Sequence, residues 1–196
     1  MPSLILASRS PARAALLKRL ALPFEQQASD IDETPLKGET PVQLTERLSY
    51  QKAQALAPRF KSHLVIASDQ VAEFEGEIIG KPHTRDNACR RLADFSGRRV
   101  RFHTGLALLD AKSGRCLTHV EPYAVQFRAL TRAEIEAYMD LESPLDSAGG
   151  FYVEKLGIAL FESLEGRDPN ALIGLPMIAL CHFLREMGVN PLLARR

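Results

Sequence analysis

The sequence predicts an α/β protein in which helices flank an elongated, mixed β-sheet. Short apolar runs typical of buried strands alternate along the chain with amphipathic helical patterns, which favours the α/β class. Two long strand patterns, Arg98–Asp110 and Cys116–Arg128, are joined by a turn at Lys112-Ser113-Gly114, and such a long hairpin favours a mixed sheet over a purely parallel one. A length of 196 residues favours one domain, placed at residues 1–190, with residues 191–196 as a disordered tail.

The N-terminal half alternates between strand and helix patterns. Ser10 is a suitable N-cap, and Pro11 suits the first helical position because its missing N–H would have no partner there. A short strand is expected to end at Ser68-Asp69-Gln70, and Glu75-Gly76 is expected to turn a hairpin. In chain order the predicted elements are a strand at Leu4–Ala7, a helix from Pro11, a strand at Phe24–Ala28, a helix at Pro41–Ala57, a strand at Leu64–Ala67, a hairpin at Val71–Ile79 and a helix from Thr84 to Phe95.

Two further helices are predicted in the C-terminal half. Thr131-Arg132-Ala133-Glu134 matches the capping box and opens a helix that Ser143-Pro144 ends. Pro176–Met187 begins with proline and is followed by Gly188, as helix ends prefer. The residues of this last helix are apolar almost all round, which predicts a central position or a subunit interface.

Composition limits the classes of partner. The chain carries 25 basic and 24 acidic residues, a net charge of +1, so no global field would attract nucleic acid or an anionic membrane. The apolar stretches are too short for a membrane span, and the one at the N-terminus is too short for a secretory leader. Three widely spaced cysteines without a Cys-x-x-Cys pair indicate reduced thiols and a cytoplasmic protein, and they disfavour a zinc site.

The first strand-to-helix junction has the features of an anion site. Ser8 and Ser10 lie just before the helix, where free backbone N–H groups and the positive end of the helix dipole meet. Arg13 adds a guanidinium in the first turn. The combination suits a phosphate group, although an ordinary capped helix with a solvated arginine has the same local pattern.

Two lysines occupy unusual sequence positions. Lys52 follows Leu48 by four residues and therefore lies on the apolar stripe of its helix. A lysine there either extends its ammonium to solvent or points at an anion in a cleft. Lys81, within Gly80-Lys81-Pro82, follows a hairpin strand, where the glycine permits close approach of a ligand and the lysine supplies a compact charge for a phosphate oxygen.

Two acidic residues complete the set. Asp69 is expected just beyond the carboxyl end of a buried strand, where open α/β sheets place their ligand crevices, although an Asx turn would also account for it. Glu33 adds a carboxylate from a polar loop, where most carboxylates are only solvated. With the cationic residues, these carboxylates would serve a hard divalent cation or a water nucleophile, the requirements of nucleotide phosphate hydrolysis.

The chain resembles the Maf family of nucleoside triphosphate pyrophosphatases over nearly its whole length. The opening Ser-x-Ser-Pro-x-Arg of the family is matched at Ser8 to Arg13. Later family motifs are matched, in the same order, by Asp32-Glu33-Thr34-Pro35, Glu46-Arg47-Leu48 with Lys52-Ala53, Ser68-Asp69-Gln70, Gly80-Lys81-Pro82 with Thr84, and Asn170 with Gly174-Leu175-Pro176.

The resemblance implies a two-lobed fold with a central cleft, frequent dimerisation, a small nucleotide as substrate and a divalent cation, Mg²⁺ or Mn²⁺. It implies that Asp69 is the proton acceptor and, with Glu33, holds the metal. It implies a phosphate site at Ser8, Arg13, Lys52 and Lys81, to which the helix start adds Ser10.

Within the family, the chain looks most similar to the branch that hydrolyses 7-methyl-GTP. Gln70 after the aspartate, Glu154 and the segment Glu165–Asn170 point to that branch. The branch acting on thymidine and uridine triphosphates tends to carry threonine and glutamine at the first two of these positions. A carboxylate at Glu154 would suit both the positive charge of N7-methylated guanine and its hydrogen-bond donors, although a surface charge would have the same residue type.

One position departs from the family. Position 12 helps to set substrate choice, and relatives carry arginine or an aromatic residue there, whereas this chain has Ala12 and no tryptophan at all. Tyr152 or Phe151 could supply the missing aromatic face, or both could be core residues. The alternatives to 7-methyl-GTP are the pyrimidine triphosphates and a non-catalytic nucleotide-sensing module linked to cell division.

Overall fold

A computed structural model, which describes residues 2–194, shows one seven-stranded mixed sheet with six helices packed around it. Strand order is β2-β1-β3-β5-β6-β7, and β4 forms a hairpin with β3. The strands are β1 (Ser3–Ala7), β2 (Phe24–Gln27), β3 (His63–Phe74), β4 (Glu77–Ile79), β5 (Arg99–Asp110), β6 (Cys116–Phe127) and β7 (Phe161–Gly166). The predicted fold class is therefore confirmed.

The sheet is mixed because its two ends are built differently. β1 pairs in parallel with β2 on one side and with β3 on the other, as the intervening helices require. The pairs from β3 through β5 and β6 to β7 are antiparallel, and β5 and β6 are the predicted long hairpin. The parallel half and the antiparallel half are joined by β3, which belongs to both.

β3 corrects the prediction that a short strand ends at Asp69. The strand runs through that position to Phe74, so Asp69 lies in the middle of the sheet, opposite Gly105 of β5. The polar residues do not end the strand because each has a partner. The Ser68 hydroxyl donates to the carbonyl oxygens of Gly105 (2.7 Å) and Gly174 (2.8 Å), and Asp69 is paired with a lysine.

The helices begin where their capping residues predict. Ser10, Thr40, Thr84 and Thr131 each accept a hydrogen bond from a backbone N–H in the first turn, and the capping box at Thr131 is confirmed. A short 3₁₀ helix, β7 and a five-residue helix in the segment 156–173 are elements that the sequence analysis did not predict. The helices are α1 (Pro11–Lys18), α2 (Pro41–Leu56), α3 (Arg85–Phe95), α4 (Arg132–Leu141), α5 (Pro169–Ile173) and α6 (Met177–Glu186), and the 3₁₀ helix spans Leu156–Leu160.

Apolar side chains fill both faces of the parallel half and one face of the antiparallel half. α1 and α6 cover one face of β1 and β3, and α2 covers the other. Around α3 and α4, the antiparallel half packs a cluster of phenylalanine rings, in which Phe95, Phe127 and Phe161 meet mostly edge to face. α6 buries one side in the core, whereas Ile178 on its other side is 47% exposed.

Residues 191–194 continue from α6 in turns, with Leu193 and Ala194 donating backbone hydrogen bonds to the Asn190 carbonyl. The last two residues of the predicted tail, 195–196, lie outside the described residues. No helix within residues 2–194 is long and apolar enough to cross a membrane. The three cysteines are free thiols.

α2 lies unusually close to the sheet at Gly105. A Cβ atom at this position would lie 2.2 Å from the Thr45 carbonyl oxygen and 3.0 Å from the Ser49 hydroxyl. Thr45, Ser49 and Lys52 follow one another along the sheet-facing side of α2, and all three are buried. The absent side chain at Gly105 therefore sets the depth at which α2 presents Lys52 to the sheet.

Substitution of Gly105 by alanine should push α2 away from the sheet. We expect Gly105→Ala to lower the free energy of unfolding by about 1–3 kcal/mol, the usual cost of overpacking, because the new methyl meets backbone rather than a flexible side chain. Urea unfolding followed by circular dichroism measures the change. Gly80→Ala is the matched control, since a Cβ at the exposed Gly80 has no atom within 4 Å; equal stability of the two variants would contradict the close approach at Gly105.

Candidate active site

A cleft of about 1170 Å³ lies over the middle of β3. Its floor is formed by the start of α1, the inner face of α2 and the centre of β3, and its rim by loop segments near residues 28–35, 78–83 and 146–155. All ten residues to which the sequence analysis assigns a site role line this cleft: Ser8, Ser10, Ala12, Arg13, Glu33, Lys52, Asp69, Gln70, Lys81 and Glu154. A second hollow of about 710 Å³, beside the outer side of α2, contains none of them.

A lysine between two carboxylates forms the centre of the cleft. The Lys52 ammonium lies 2.6 Å from Asp69 Oδ1 and 2.9 Å from Glu33 Oε1. Lys52 is 7% exposed and Asp69 is 6% exposed, whereas the Glu33 side chain is half exposed on its loop. Lys52 thus points inward to anions and does not extend to solvent along the helix.

The lysine leaves part of Asp69 accessible to a ligand. The Lys52 ammonium donates to Oδ1 of Asp69, and no group within residues 2–194 donates a hydrogen bond to Oδ2. A carboxylate oxygen held at a fixed position with one free acceptor can bind and orient a water molecule. This geometry allows Asp69 to act on water while Lys52 holds the carboxyl group in place.

At the start of α1, hydroxyl groups surround the helix N-terminus. Ser10 Oγ accepts a hydrogen bond from the Arg13 N–H (3.3 Å), and Ser8 Oγ accepts one from the Ser10 N–H (3.1 Å). Because both hydroxyls accept from the backbone, their O–H groups are free to donate to an anion in the cleft. Together with the N–H groups of the first turn, this is a suitable environment for phosphate.

Arg13 connects the cleft wall to two backbone carbonyls. Its Nε donates to Gly174 O (2.8 Å) and its Nη1 to Ser68 O (2.7 Å), so it is not the solvated arginine of the alternative interpretation. Burial lowers the pKa of the guanidinium, while Asp69 and Glu33 act in the opposite direction. An arginine keeps its charge at neutral pH even so, because its ordinary pKa is far higher.

Gln70 is held by the segment that contains α5. Its amide nitrogen donates to Thr104 Oγ1 (3.0 Å), to Ala171 O (2.7 Å) and to Leu172 O (3.1 Å). The amide N–H donors are therefore used within the protein, and the carbonyl oxygen is the atom that Gln70 can offer to a ligand. This orientation restricts Gln70 to accepting hydrogen bonds.

Asp168 is a structural residue of the site that the sequence analysis missed. It is completely buried; its Oδ1 accepts from the Asn170 N–H (3.0 Å) at the start of α5, and its Oδ2 accepts from the Ile178 N–H (2.7 Å) at the start of α6. One carboxylate thereby fixes two helices, and the turn between them carries the Gly174 carbonyl that Arg13 contacts. The sequence signal was present, since Asp168-Pro169 is an N-cap followed by a proline at the first helical position.

The predicted specificity residues Ala12, Gln70 and Glu154 differ in exposure: Ala12 is half-buried in the first turn of α1, Gln70 is half-buried in β3, and Glu154 is exposed on the rim. Lys81, predicted to bind phosphate, is also exposed on the rim. The two candidates for an aromatic face, Phe151 and Tyr152, differ in burial. Phe151 is buried, with its ring against Phe102, Phe127 and Phe161, whereas Tyr152 is half-buried and lines the cleft.

The donor set fits a divalent cation that is bound mainly through the substrate. Within residues 2–194 there is no cluster of three or more histidine, cysteine or acidic side chains that could hold a metal alone. Magnesium is commonly held by one or two carboxylates together with substrate phosphates, and Asp69 and Glu33 meet at one ammonium. These two carboxylates are the residues that would hold the ion.

The fold and the cleft define an α/β protein with a deep cleft, lined by cations, carboxylates and hydroxyl groups, at the centre of a mixed sheet. The chain belongs to the Maf family, since the pattern of the Maf-like proteins matches residues 3–187. Family membership indicates a nucleotide pyrophosphatase, of a kind that generally uses a divalent metal.

Solved structures of other proteins share the fold. The chain is similar to the Ham1 protein of Staphylococcus aureus, with a TM-score of 0.56 and 15% identity over 94% of this chain and 99% of that one. It is also similar to a HAM1 protein from Coxiella burnetii, with a TM-score of 0.52 and 16% identity over 95% of this chain and all of that one. At such low identity, the likeness concerns the fold alone.

Removal of the central lysine should leave two carboxylates without their counter-ion. We expect Lys52→Met to lower the free energy of unfolding by about 3 kcal/mol, because an unpaired buried charge is more costly than a buried pair. The double variant Lys52→Met/Asp69→Asn should lose less than the sum of the two single variants, because the amide carries no charge. Urea unfolding of the four proteins gives this coupling energy.

The same variants test the metal-binding carboxylates. Magnesium should raise the melting temperature of Lys52→Met more than that of the native protein, because the ion can replace the ammonium between Asp69 and Glu33. Addition of Glu33→Gln should remove this extra shift. An unchanged magnesium response in all three proteins would contradict a shared carboxylate site.

Proposed function

We propose that this protein hydrolyses the α–β phosphate bond of 7-methyl-GTP to give 7-methyl-GMP and diphosphate. The proposal rests on one observation: the Asp69 carboxylate lines a large cleft while Lys52 holds one of its oxygens, Oδ1. Around this pair, the cleft gathers the cations and hydroxyl groups that a triphosphate requires. A housecleaning role, the removal of modified nucleotides, follows from such a substrate.

The triphosphate would extend along the start of α1 toward the lysines. The hydroxyl groups of Ser8 and Ser10 and the free N–H groups of the first turn would bind phosphate oxygens near the helix. Arg13, Lys52 and Lys81 would neutralise charge from three sides of the cleft. In such reactions, positioning and neutralisation of charge provide most of the catalysis.

In the chemical step, Asp69 would accept a proton from a water molecule that attacks the α-phosphorus. A bond forms between the water oxygen and phosphorus, the bond to the bridging α–β oxygen breaks, and diphosphate leaves with the electron pair. A carboxylate is a weak base at neutral pH, so the water must be made more acidic. A Mg²⁺ or Mn²⁺ ion at Asp69 and Glu33 would supply that acidity and neutralise phosphate charge.

The base would lie toward the rim formed by Gln70 and Glu154. N7-methylated guanine carries a positive charge and presents N–H donors, and the Glu154 carboxylate can answer both. The carbonyl oxygen of Gln70 adds a second acceptor, because its N–H groups are engaged elsewhere. The small side chain of Ala12 leaves the opposite wall open, and this opening would also admit thymidine or uridine triphosphate.

A nucleotide-sensing module without turnover is a weaker alternative. A sensor needs cations for phosphate, but it does not need a buried carboxylate with a free oxygen facing the ligand. The Lys52–Asp69 pair therefore favours catalysis. Homodimer formation and a cytoplasmic location remain predictions from the sequence.

Replacement of Asp69 by asparagine should abolish turnover while retaining the fold. We expect Asp69→Asn to lower kcat by at least about 100-fold, because an amide cannot accept the proton from water, with nucleotide binding retained. Continuous detection of released pyrophosphate measures kcat. Asp94→Asn, on the exposed side of α3 and outside the cleft, is the matched control and should keep normal activity; substantial pyrophosphate release by Asp69→Asn would reject the assignment.

A substrate panel tests the reaction and the base together. The purified protein with magnesium would receive 7-methyl-GTP, GTP, dTTP and UTP, with separate assays for pyrophosphate and orthophosphate. Pyrophosphate from 7-methyl-GTP at the highest kcat/KM is the expected result. Preference for dTTP or UTP would move the protein to the pyrimidine branch, orthophosphate as first product would overturn the site of cleavage, and nucleotide binding without any product would favour the sensor.

A further inference from the structure

We infer that the ring of Tyr152 is the platform on which a cationic purine base stacks, and that the ammonium of Lys155 covers this ring until the base replaces it. The inference rests on the proposed function, because it takes the phosphates of the nucleotide to lie at the floor of the cleft. It adds Tyr152 as a residue that selects the base and Lys155 as a cation that competes with the base. The class of base that this site would prefer is a cationic purine.

The ring already has a cation at its face. Lys155 Nζ lies 4.5 Å from the centroid of the Tyr152 ring, well within the range of a cation–π interaction. Both side chains line the rim of the cleft, next to Glu154. A positively charged group is therefore favourable at this point of the rim, and a second cation of suitable shape can take the same place.

The hydroxyl group of Tyr152 donates a hydrogen bond to Asp146 Oδ1. Burial and this carboxylate together raise the pKa of the Tyr152 phenol, so the hydroxyl group keeps its proton at neutral pH. A hydroxyl that donates to a carboxylate increases the electron density of its ring, which strengthens attraction to a cation. Asp146 also places a negative charge close to the ring, which adds to that attraction.

The backbone holds the platform in one orientation. The Tyr152 N–H donates to the hydroxyl of the buried Tyr138 (3.1 Å), and the Lys155 N–H donates to the Tyr152 carbonyl (3.2 Å). Gly157 packs so closely on that carbonyl that a Cβ atom there would lie 2.4 Å from the oxygen. A ring fixed before binding loses little entropy when a base stacks on it.

Other aromatic groups fit this role less well. Among residues 2–194, the aromatic side chains that line the cleft are His83, Phe151 and Tyr152. Phe151 belongs to the phenylalanine cluster of the core. His83, whose backbone N–H donates to the Leu145 carbonyl (3.2 Å), carries an imidazole, which is not among the rings that hold cations well. Tyr152 therefore provides the aromatic face that Ala12 does not.

The ring selects for charge, and the lysine competes with every base for the ring. Displacement of Lys155 gives up the same cation–π interaction whichever base takes its place. A neutral purine regains only stacking, whereas a purine that is itself a cation regains a cation–π interaction. Loss of Lys155 should therefore improve the binding of neutral and cationic bases alike, whereas loss of the ring weakens the cationic base selectively.

Binding of 7-methyl-GMP and of GMP measures this selectivity without turnover. We expect Tyr152→Leu to reduce the ratio of the affinity for 7-methyl-GMP to the affinity for GMP by about 3- to 30-fold, the range of a cation–π interaction. Tyr152→Phe should keep most of the preference, because it keeps the ring, and Lys155→Met should tighten the binding of both ligands. Isothermal titration calorimetry gives the affinities, and GMP serves as the internal control for folding of each variant.

A spectroscopic readout tests stacking directly. The intrinsic fluorescence of 7-methylguanine is quenched when the base stacks, and the absence of tryptophan from the chain keeps the protein background low. The native protein and Tyr152→Phe should quench this emission, and Tyr152→Leu should not. Tyr50→Leu, which removes a half-exposed tyrosine from the outer side of α2, is the matched control and should behave like the native protein.

The outcomes separate this inference from the proposed function. If Tyr152→Leu weakens both ligands equally, or still quenches the emission, the inference is wrong. In that case the release of pyrophosphate from 7-methyl-GTP by the native protein would leave the proposed function standing. If the native protein shows no preference for 7-methyl-GMP and no hydrolysis of 7-methyl-GTP, both fail.

Discussion

The ion pairs that the Lys52 ammonium forms with Asp69 and Glu33 are the interactions on which the site and much of the fold depend. The ammonium joins α2 to the centre of the sheet through Asp69, and it brings the loop that carries Glu33 onto the same point. Lys52 and Asp69 are buried charges that require partners, so they specify each other's positions, and the half-exposed Glu33 adds a second partner for the lysine. Gly105 makes the arrangement possible, because only a residue without a side chain allows α2 to lie so close to β5.

Much of the fold could be predicted from the sequence because its signals are local. Helix starts follow from capping residues such as Thr131, and the β5–β6 hairpin follows from two long strand patterns joined by a glycine turn. The extent of β3 could not be predicted. Its polar residues resemble the end of a strand, and the carbonyl oxygens that accept from Ser68 and Gln70 belong to residues far along the chain.

The candidate site also has residues that could be predicted from the sequence and residues that could not. Residue type and spacing singled out Arg13, Lys52 and Lys81 as cations, with Asp69 and Glu33 as carboxylates, and only their combination was unusual. Ala12, Gln70 and Glu154 came from the family resemblance. All of them line the cleft. The residues that hold them in place were missed. The bond of Asp168 to the start of α5 is a local N-cap that the sequence pattern contains. Its bond to α6, and the acceptor that Thr104 shares with Gln70, depend on the packed structure rather than on neighbouring sequence.

The long pairing between β3 and β5 has a mechanical consequence for the cleft, whose floor includes the centre of β3. The two strands each run for twelve residues and stay paired from Leu64 with Asp110 to Glu73 with Arg101. A bend of the floor at Asp69 would have to break this ladder of hydrogen bonds. Any movement that admits or releases a ligand must therefore occur in the segments around the rim. The distances between the side chains on the floor of the cleft stay fixed.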